Sequence, residues 1–520
     1  MLAHGLDSPV RSGISRPMRL AFAIPTRWLE RKVNPWRLLL ELGIAIWALY
    51  QLAILYSAFF GRLTYPMDLE WMEGGTLFEA FRVLHGQPLY VKPVTTWAPY
   101  PYPPVQPWLL AVVGALHLDF WVGRMLSIFF FSVLCFAIFR EIYVHFMRRA
   151  VGIAMGALAL AVIAASYPVV GQWYDLIRCD IIMLGFWAAG ASRLMKRNAT
   201  PRHMLWTAVL FTLAIYSKQT ASMLVGWSCL FLLVYRFRLG LRLAAYTGGL
   251  SLALLLLLQW TTKGAFWYLT IGSLGQHEMK HDMMFEGFTM VFNFVPFFVI
   301  TPFILLLVAL RGWLTPRTIH WVGAFLVSIP VSLVAYSKVG AYLNALIPLV
   351  VLSAPALIFV MADIVQRPGT PAAALRWATL AGLAYFVSIR PLDPSAYVPN
   401  VTKWHAAREL NSIVTSLQGG VVCTYLGFLP AHNGHFNPHW QSMVVWDSIW
   451  RNEPMDEVAA FENSGARWVL TNSRDVGPFA NYVRSVSNLS RRIPESARVQ
   501  MQTGAGIEID ELWERRSIRR

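Results

Sequence analysis

Residues 36–60 read WRLLLELGIAIWALYQLAILYSAFF, an apolar run longer than the roughly 20 residues that an α-helix needs to cross a bilayer. A second run, LAAYTGGLSLALLLLLQW at residues 243–260, approaches that length, and several more apolar runs occur along the chain. The 520 residues are 56% hydrophobic and only 14% charged, whereas a soluble globular protein carries about a quarter charged residues. These features predict a polytopic α-helical membrane protein.

The basic residues indicate topology. The formal net charge is +16, but Lys and Arg occur in short clusters between the apolar runs and form no patch interleaved with aromatic residues. Such clusters are typical of cytoplasmic loops, so we expect a lipid bilayer around the chain and no nucleic-acid partner. The basic arm, residues 1–35, is placed in the cytoplasm. The four cysteines are scattered and suggest no disulfide or zinc framework.

The charge pattern predicts eleven membrane spans within a membrane domain of residues 36–390. They are expected near residues 36–60, 121–145, 151–168, a run ending at the basic loop 193–203, 204–217, 220–235, a run ending near 260, 289–310, 319–336, 341–362 and 373–390. The apolar segment after Pro104 is only about 15 residues long, too short for a span, so it should lie in the interface or re-enter it. Residues 61–120 therefore form a long first outer loop with interfacial helices.

The last part of the chain, residues 391–520, differs in character. It is more polar, and short apolar stretches such as GGVVCTYLGF (419–428) and ARWVLTNS (466–473) alternate with helix-like stretches. This pattern predicts a small α/β domain. Eleven spans that start from the cytoplasm place this domain on the extracytoplasmic face.

The first outer loop carries three acids in the stretch YPMDLEWMEGG, residues 65–75: Asp68, Glu70 and Glu73. Ionised carboxylates held close together at a membrane face are costly, because like charges repel and lipid does not solvate them. Three solvated loop charges are the alternative. We expect at least one of the acids to be functional, and chemistry alone does not separate Asp68 from Glu73.

Later loops on the same predicted face carry mainly cations and histidines. They are Asp175 and Asp180 beside Arg178, then Lys218, the cluster His277, Glu278, Lys280 and His281, and Lys338. An acid that takes a proton from a hydroxyl, with cations that stabilise a departing phosphate, would suit group transfer. Asp180 pairing with Arg178 and lysines reaching the lipid headgroups are the structural alternatives, and Asp175 is expected to be solvated.

The histidine cluster has two interpretations. His277, Lys280 and His281 could form a lid over a donor or a solvated loop. His277 and His281 have a spacing that suits a metal, but no further ligand is evident, so no metal site is predicted. No cofactor is indicated, and the requirement for a divalent metal ion stays open.

The order of several motifs resembles the GT-C superfamily of integral-membrane glycosyltransferases, over roughly residues 36–350. The motifs are the acidic stretch, LFEAFRVLHGQPLY (77–90), YPYPPVQPWLLA (100–111), GRMLS (123–127), the spacing from Pro168 to Asp180, YSKQT (216–220) with its lysine, and YLNALIPL (342–349). Bacterial members related to lipid A aminoarabinose transferase, the protein O-mannosyltransferases and the lipopolysaccharide galacturonosyltransferases are similar in this respect.

The resemblance implies a polyprenyl-phosphate-linked sugar donor, an extracytoplasmic acceptor and a reaction at the outer face. Counting back from Gly86, Glu73 occupies the position of the family's glutamate, but Met72 replaces its usual aspartate. The base could therefore be Glu73, Asp68 or Glu70. The WWDxG motif of oligosaccharyltransferases is absent, which argues against en bloc transfer of an oligosaccharide to asparagine.

The sequence thus predicts an inverting glycosyltransferase of the cytoplasmic membrane that modifies a hydroxyl of a cell-envelope glycan, lipid or protein. The predicted residues are Asp68, Glu70, Glu73 and Asp180 for catalysis, Lys218, His281, Lys338 and Arg178 for the donor phosphate, and His277 and Lys280 for a lid. The alternative is a transporter or flippase of lipid-linked sugars. Transporters place ionisable sites near the bilayer midplane, often in two repeated halves, so acids gathered in one outer loop favour the enzyme.

Overall fold

The computed structural model describes most of the chain, but little of the predicted cytoplasmic arm. The described residues are 34–91, 97, 99–146, 149–196, 199–366, 371–433, 442, 446, 456–501 and 508–516. Of the arm, residues 1–33 lie outside this set. The described part consists of a bundle of α-helices followed by a small mixed sheet with its own helices.

The bundle contains helices that we number α1 to α15 in chain order. They are α1 (Pro35–Leu63), α2 (Glu73–Leu84), α3 (Val105–Val113), α4 (Phe120–His145), α5 (Arg149–Ala165), α6 (Cys179–Ala191), α7 (Pro201–Ser217), α8 (Ala221–Tyr235), α9 (Phe237–Thr261), the single turn α10 (Ala265–Trp267), α11 (His281–Phe294), α12 (Phe297–Leu310), α13 (Pro316–Tyr336), α14 (Ile347–Val365) and α15 (Ala372–Ser388). Among the described residues, five helical segments are long and apolar enough to span a membrane: α1, α4, α9, α13 and the segment Leu343–Val365 around α14. The bent pair α11 and α12 makes a sixth.

The other predicted spans fall on shorter helices. Those near 151–168, before 193, and near 204–217, 220–235 and 373–390 coincide with α5, α6, α7, α8 and α15. Of these, α5 is buried along most of its length between α1, α4, α14 and α15. Neighbouring helices therefore take the place of lipid around it.

The predicted span 289–310 falls on two helices that meet at a sharp bend, not on one straight helix. Helix α11 ends at Phe294, α12 begins at Phe297, and the two axes meet at 78°. Pro296 lies in the break. A proline has no N–H to continue the helical ladder, and its ring pushes the preceding residue out of the α conformation, which explains the bend.

The first outer loop contains two helices, as its apolar and aromatic content suggested. Helix α3 is nine residues long, far short of a span, and it packs against α2 and α4. Val112 and Val113 on α3 are exposed. The loop that connects α1 to α2, residues 64–72, is called the acid loop below because it carries Asp68 and Glu70.

The C-terminal part forms a four-stranded sheet, which confirms the predicted small α/β domain. The strands are β1 (Val421–Cys423), β2 (Trp468–Thr471), β3 (Ser487–Arg492) and β4 (Glu511–Arg515), in the order β1-β2-β4-β3. Its described helices are Val401–Ser416, Leu429–His432, Glu457–Ser464 and Pro478–Val486. Strands β1 and β2 are parallel, which requires a crossover connection, and the helix Glu457–Ser464 lies within it.

This domain packs on the end of the bundle that carries the acid loop. The ring of Trp404 meets that of Tyr65 edge to face, with 5.6 Å between centroids. The indole N–H of Trp446 donates to the carbonyl of Pro99 in the first outer loop at 2.7 Å. The acids of the first loop are therefore covered by the C-terminal part of the chain.

Candidate active site

The three acids of the first outer loop are all withdrawn from solvent. Asp68, Glu70 and Glu73 each have a relative exposure of 0%. The alternative of three solvated loop charges is therefore wrong. Desolvation makes an unpaired carboxylate expensive, so what each acid contacts determines what it can do.

Both carboxylate oxygens of Glu73, the first residue of α2, accept hydrogen bonds from the protein. Arg124 on α4 holds both its oxygens, with Nε 3.1 Å from Oε1 and Nη2 2.7 Å from Oε2. The backbone N–H groups of Leu69 and Ile177 donate to the same two oxygens at 2.8 and 3.1 Å. Four donors on one carboxylate leave no room for a substrate hydroxyl.

Only one carboxylate oxygen of Asp68 accepts a hydrogen bond from the described residues. The N–H of Gly74 donates to its Oδ1 at 2.5 Å, while its Oδ2 is buried and makes no hydrogen bond to a described residue. Burial, reinforced by the charge of Glu73, raises the pKa of Asp68 well above its usual value. A Cβ on Gly74 would lie 2.4 Å from Asp68 Oδ1 and 2.6 Å from the backbone N of Phe428, so only glycine fits between this acid and the C-terminal domain.

Glu70 is the least satisfied of the three acids. Both its carboxylate oxygens are buried, and no side chain in the described part of the chain donates a hydrogen bond to them; only the backbone N–H of Met72 lies close enough to lower the pKa of Glu70. Its nearest cation is Arg178, whose Nη1 lies 4.0 Å from Oε2. Burial raises the pKa of Glu70 to about 8, although Arg178 partly offsets the effect. A carboxylate with this pKa can take up and release a proton near neutral pH.

Arg178 connects the acid loop to aromatic rings. Its Nη2 donates to the hydroxyl of Tyr102 at 3.2 Å, and its guanidinium lies 5.0 Å from the centroid of the Trp173 ring. Cations over aromatic faces are stabilised by the ring quadrupole. The Trp173 ring in turn lies 5.6 Å from that of Tyr342, a residue in the late motif of the chain.

Asp180 pairs with Lys218 and not with Arg178, so the alternative pairing weighed from the sequence is wrong. The Lys218 ammonium donates to Asp180 Oδ1, and the side-chain amide of Asn344 donates to Oδ2 at 3.2 Å. The reason is geometric: Asp180 lies in the first turn of α6 and reaches the end of α7. Burial opposes the charge of Lys218, but Asp180 outweighs it and raises the pKa of the ammonium.

Lys338 lies near Lys218. Burial and then the charge of Lys218 lower the pKa of Lys338. Its segment is bound to the predicted lid, because Met279 and Lys338 form an antiparallel bridge and His277 Nε2 donates to the carbonyl of Val339 at 2.5 Å. The predicted lid therefore lies beside a site cation, but its motion stays a prediction.

Lys280 and His281 belong to the predicted lid and phosphate site. Both are exposed, and neither side chain makes a hydrogen bond or an ion pair to a described residue. His281 begins α11. Phosphate binding by His281 stays a prediction that these contacts neither support nor oppose.

Asp175, expected to be solvated, is completely buried. The hydroxyl of Tyr167 donates to its Oδ1 at 2.7 Å, and Arg62 Nη1 lies 3.4 Å from the same oxygen. The loop between α5 and α6 folds back onto the end of α1, which brings Arg62 to this acid. Asp175 is therefore part of the packing that supports the site.

The residues that sequence reasoning missed are those that hold the site together. Arg124 and Arg62 are buried arginines within α4 and α1, and an ionisable residue inside an apolar span is itself a signal of function or pairing. Asn344 and Phe428 carried no comparable signal. Among the described residues, no group of three or more His, Cys, Asp or Glu side chains could hold a metal ion.

Comparison with known families gives a match in sequence. The family described as dolichyl-phosphate-mannose-protein mannosyltransferase matches residues 101–262. No curated protein matches the chain in sequence. The match covers α3 to α9, the part of the bundle that contains Arg124, Arg178, Asp180 and Lys218.

Solved structures give matches over nearly the whole chain. The crystal structure of ArnT from Cupriavidus metallidurans bound to undecaprenyl phosphate is 12% identical, with a TM-score of 0.55 over 94% of this chain and 99% of that chain. The apo ArnT structure is 11% identical, with a TM-score of 0.55 over 92% and 98%. The Archaeoglobus fulgidus oligosaccharyltransferase tethered to an acceptor peptide is 12% identical, with a TM-score of 0.45 over 84% and 70%. The ArnT matches confirm the predicted GT-C fold.

Proposed function

We propose that this chain, whose fold matches that of the ArnT structures and whose residues 101–262 match a mannosyltransferase family, moves a sugar from a polyprenyl-phosphate donor to a hydroxyl of an extracytoplasmic acceptor. The observation that carries the proposal is a buried carboxylate, Glu70, which accepts no hydrogen bond from a described side chain and whose nearest cation, Arg178, lies 4.0 Å away. Unpaired buried charges are costly. A substrate that supplies the missing hydrogen bond would explain why this one is kept.

Glu70 is proposed as the base. It takes the proton of the acceptor hydroxyl while the hydroxyl oxygen bonds to the anomeric carbon of the sugar. The bond between that carbon and the phosphate oxygen breaks, and polyprenyl phosphate leaves with the electron pair. One direct displacement inverts the anomeric configuration. Asp68, whose Oδ2 makes no hydrogen bond to a described residue, is proposed to orient the hydroxyl.

The cations would stabilise the leaving phosphate. Arg178 and Lys218 are both buried, and Lys338 lies near enough to Lys218 for their charges to interact. In a desolvated site, preplaced cations stabilise developing negative charge more strongly than they do in water. Asp180 is proposed to hold Lys218 in place, since it accepts the lysine's hydrogen bond.

Two comparisons support the class of donor. One ArnT structure contains undecaprenyl phosphate, and the matching family is described by a dolichyl-phosphate donor. Both are lipid-linked phosphates, which suits a reaction beside a bilayer. We place the chain in the cytoplasmic membrane with the site and the C-terminal domain on the extracytoplasmic face, because the described Arg140, Arg236 and Arg317 lie at the end of the bundle away from the acid loop.

The proposal is tested by sugar transfer in detergent. The purified full-length chain receives polyprenyl phosphate carrying a radiolabelled sugar, together with a deletion strain's envelope glycans, lipids and proteins as acceptors. We expect label on one acceptor class, with the inverted anomeric configuration by NMR. A flippase would move label only across sealed vesicles, so transport in vesicles without transfer in detergent would overturn the proposal.

A further inference from the structure

Arg124 is a buried hub of hydrogen bonds at the start of α4. Besides Glu73, it donates to three backbone carbonyls: Nη1 to those of Arg62 and Tyr65, at 3.1 and 2.6 Å, and Nη2 to that of Met67 at 2.8 Å. These carbonyls lie at the end of α1 and along the acid loop. The guanidinium therefore fixes the path of the backbone that leads to Asp68.

Glu73 continues the same network from the other side. Its carboxylate accepts the N–H of Leu69, and its own backbone N–H donates to the carbonyl of Glu70 at 3.0 Å. The acid loop is thus tied down on both sides of Asp68 and at Glu70 itself. The carboxylate also accepts the N–H of Ile177, the residue before Arg178. One side chain therefore connects the loop of the acids to the loop of the cation.

We propose that Glu73 and Arg124 are a positioning pair that sets the separation of Glu70 from Arg178 for the reaction. The inference rests on the proposed function, because it assigns the pair a role in that reaction. It removes Glu73 from the candidates for the base: all four of its hydrogen bonds go to the protein, and it is completely buried. Neither residue touches substrate in this assignment.

The pair also acts on Glu70 by charge. The carboxylate of Glu73 raises the pKa of both Asp68 and Glu70. Neutralising Glu73 should therefore lower the pH at which Glu70 loses its proton. A substitution remote from Glu70, such as one at Arg317, should leave that pH unchanged.

The experiment compares Arg124→Lys and Glu73→Gln with Arg317→Lys. The control changes another arginine that pairs with a buried glutamate, Glu141, away from the acid loop. Lysine keeps the charge of Arg124 but lacks the planar fork that holds a carboxylate and three carbonyls at once. We expect Arg124→Lys to lower kcat about 10²-fold, the effect of a small misplacement of reacting groups, with the donor KM little changed and the control at the wild-type rate.

Two further readouts separate positioning from folding. In Glu73→Gln the pH profile of kcat/KM should shift to lower pH, and hydrogen exchange should rise in peptides covering residues 65–75 and 174–180. If a single variant does not fold, the double variant Glu73→Gln, Arg124→Gln, which removes both charges, replaces it. This double variant should show the loss of kcat that we expect for Arg124→Lys. Folded variants with raised exchange but the wild-type kcat and pH profile would overturn the positioning role. That result would leave the proposed function intact, which fails separately if the wild-type chain transfers no sugar.

Discussion

The two ends of the helical bundle treat their buried acids differently. At the end away from the acid loop, Glu141 forms ion pairs with both Arg140 and Arg317, and Asp363 lies 3.0 Å from His145. Each of these acids has a basic group in direct contact. Breaking such a pair leaves an uncompensated buried charge, so this end is organised for stability.

The end with the acid loop is organised otherwise. Glu73, Asp175 and Asp180 have close cationic partners there, but Glu70 has none nearer than 4.0 Å and Asp68 keeps one oxygen without a described partner. Single unsatisfied oxygens also occur on Glu41, Asp175 and Asp363, so the difference lies in Glu70, a buried acid with no cation nearer than 4.0 Å. Groups left unsatisfied at a cost to stability are characteristic of functional sites.

Among these predictions, replacing Glu70 should cause the largest loss of sugar transfer. Glu70→Gln keeps the shape but cannot take a proton, so sugar transfer should fall about 10³-fold. The melting temperature in detergent should not fall, because Glu70 accepts no hydrogen bond from a described side chain that glutamine would lose. Transfer close to the wild-type rate would place the base elsewhere, with Asp68 as the next candidate.

Removing Lys218 should give the next largest effect. Lys218→Met leaves Asp180 buried without its cation and removes positive charge near the leaving phosphate, so kcat should fall about 10²-fold. The melting temperature should fall as well, in contrast to Glu70→Gln. Lys218→Arg, which keeps the charge, should retain more activity, and equal losses in both variants would argue against an electrostatic role.

The pH dependence of transfer should show a smaller change. The pKa of Glu70 is raised to about 8, and the base acts only when it is deprotonated. Activity should therefore be lost as pH falls through about 8, with kcat/KM decreasing about tenfold per pH unit below that value. The residual activity of Glu70→Gln should lack this dependence, and the same slope in that variant would assign the titration to another group.

The opposite end should give the smallest effect on rate. Asp363→Asn weakens the contact with His145, and the free energy of unfolding should fall by about 1–3 kcal/mol, the cost of a buried polar group left without its partner. Transfer per folded molecule should stay at the wild-type value. A large loss of kcat in Asp363→Asn would show that the two ends are coupled, which would contradict the assignment of this end to stability alone.

The sequence located the region of the site but not the roles within it. Asp68, Glu70 and Glu73 stand out because three acids beside an apolar run are unusual whatever the fold. Their roles depend on Arg124, which lies 51 positions from Glu73. Only folding brings that guanidinium to Glu73 and leaves Glu70, three positions earlier, without it.

Two other differences have the same origin. Asp175 was expected in solvent, since nothing in its neighbourhood shows that Arg62 and Tyr167 will enclose it. The partner of Asp180 is Lys218, 38 positions away, and not the adjacent Arg178. The bend between α11 and α12 is an exception, because Pro296 carried a local signal for it.

The amino-acid order alone determined that this is a multi-pass membrane protein and where most of its helices approximately lie. Those outcomes follow from the cost of moving each residue out of water, a property of the residue and its immediate neighbours. Tertiary structure alone decided which charges pair and which stay unpaired. Hydrogen bonds and ion pairs in a dry interior depend on separations of a few ångströms between residues that are far apart along the chain.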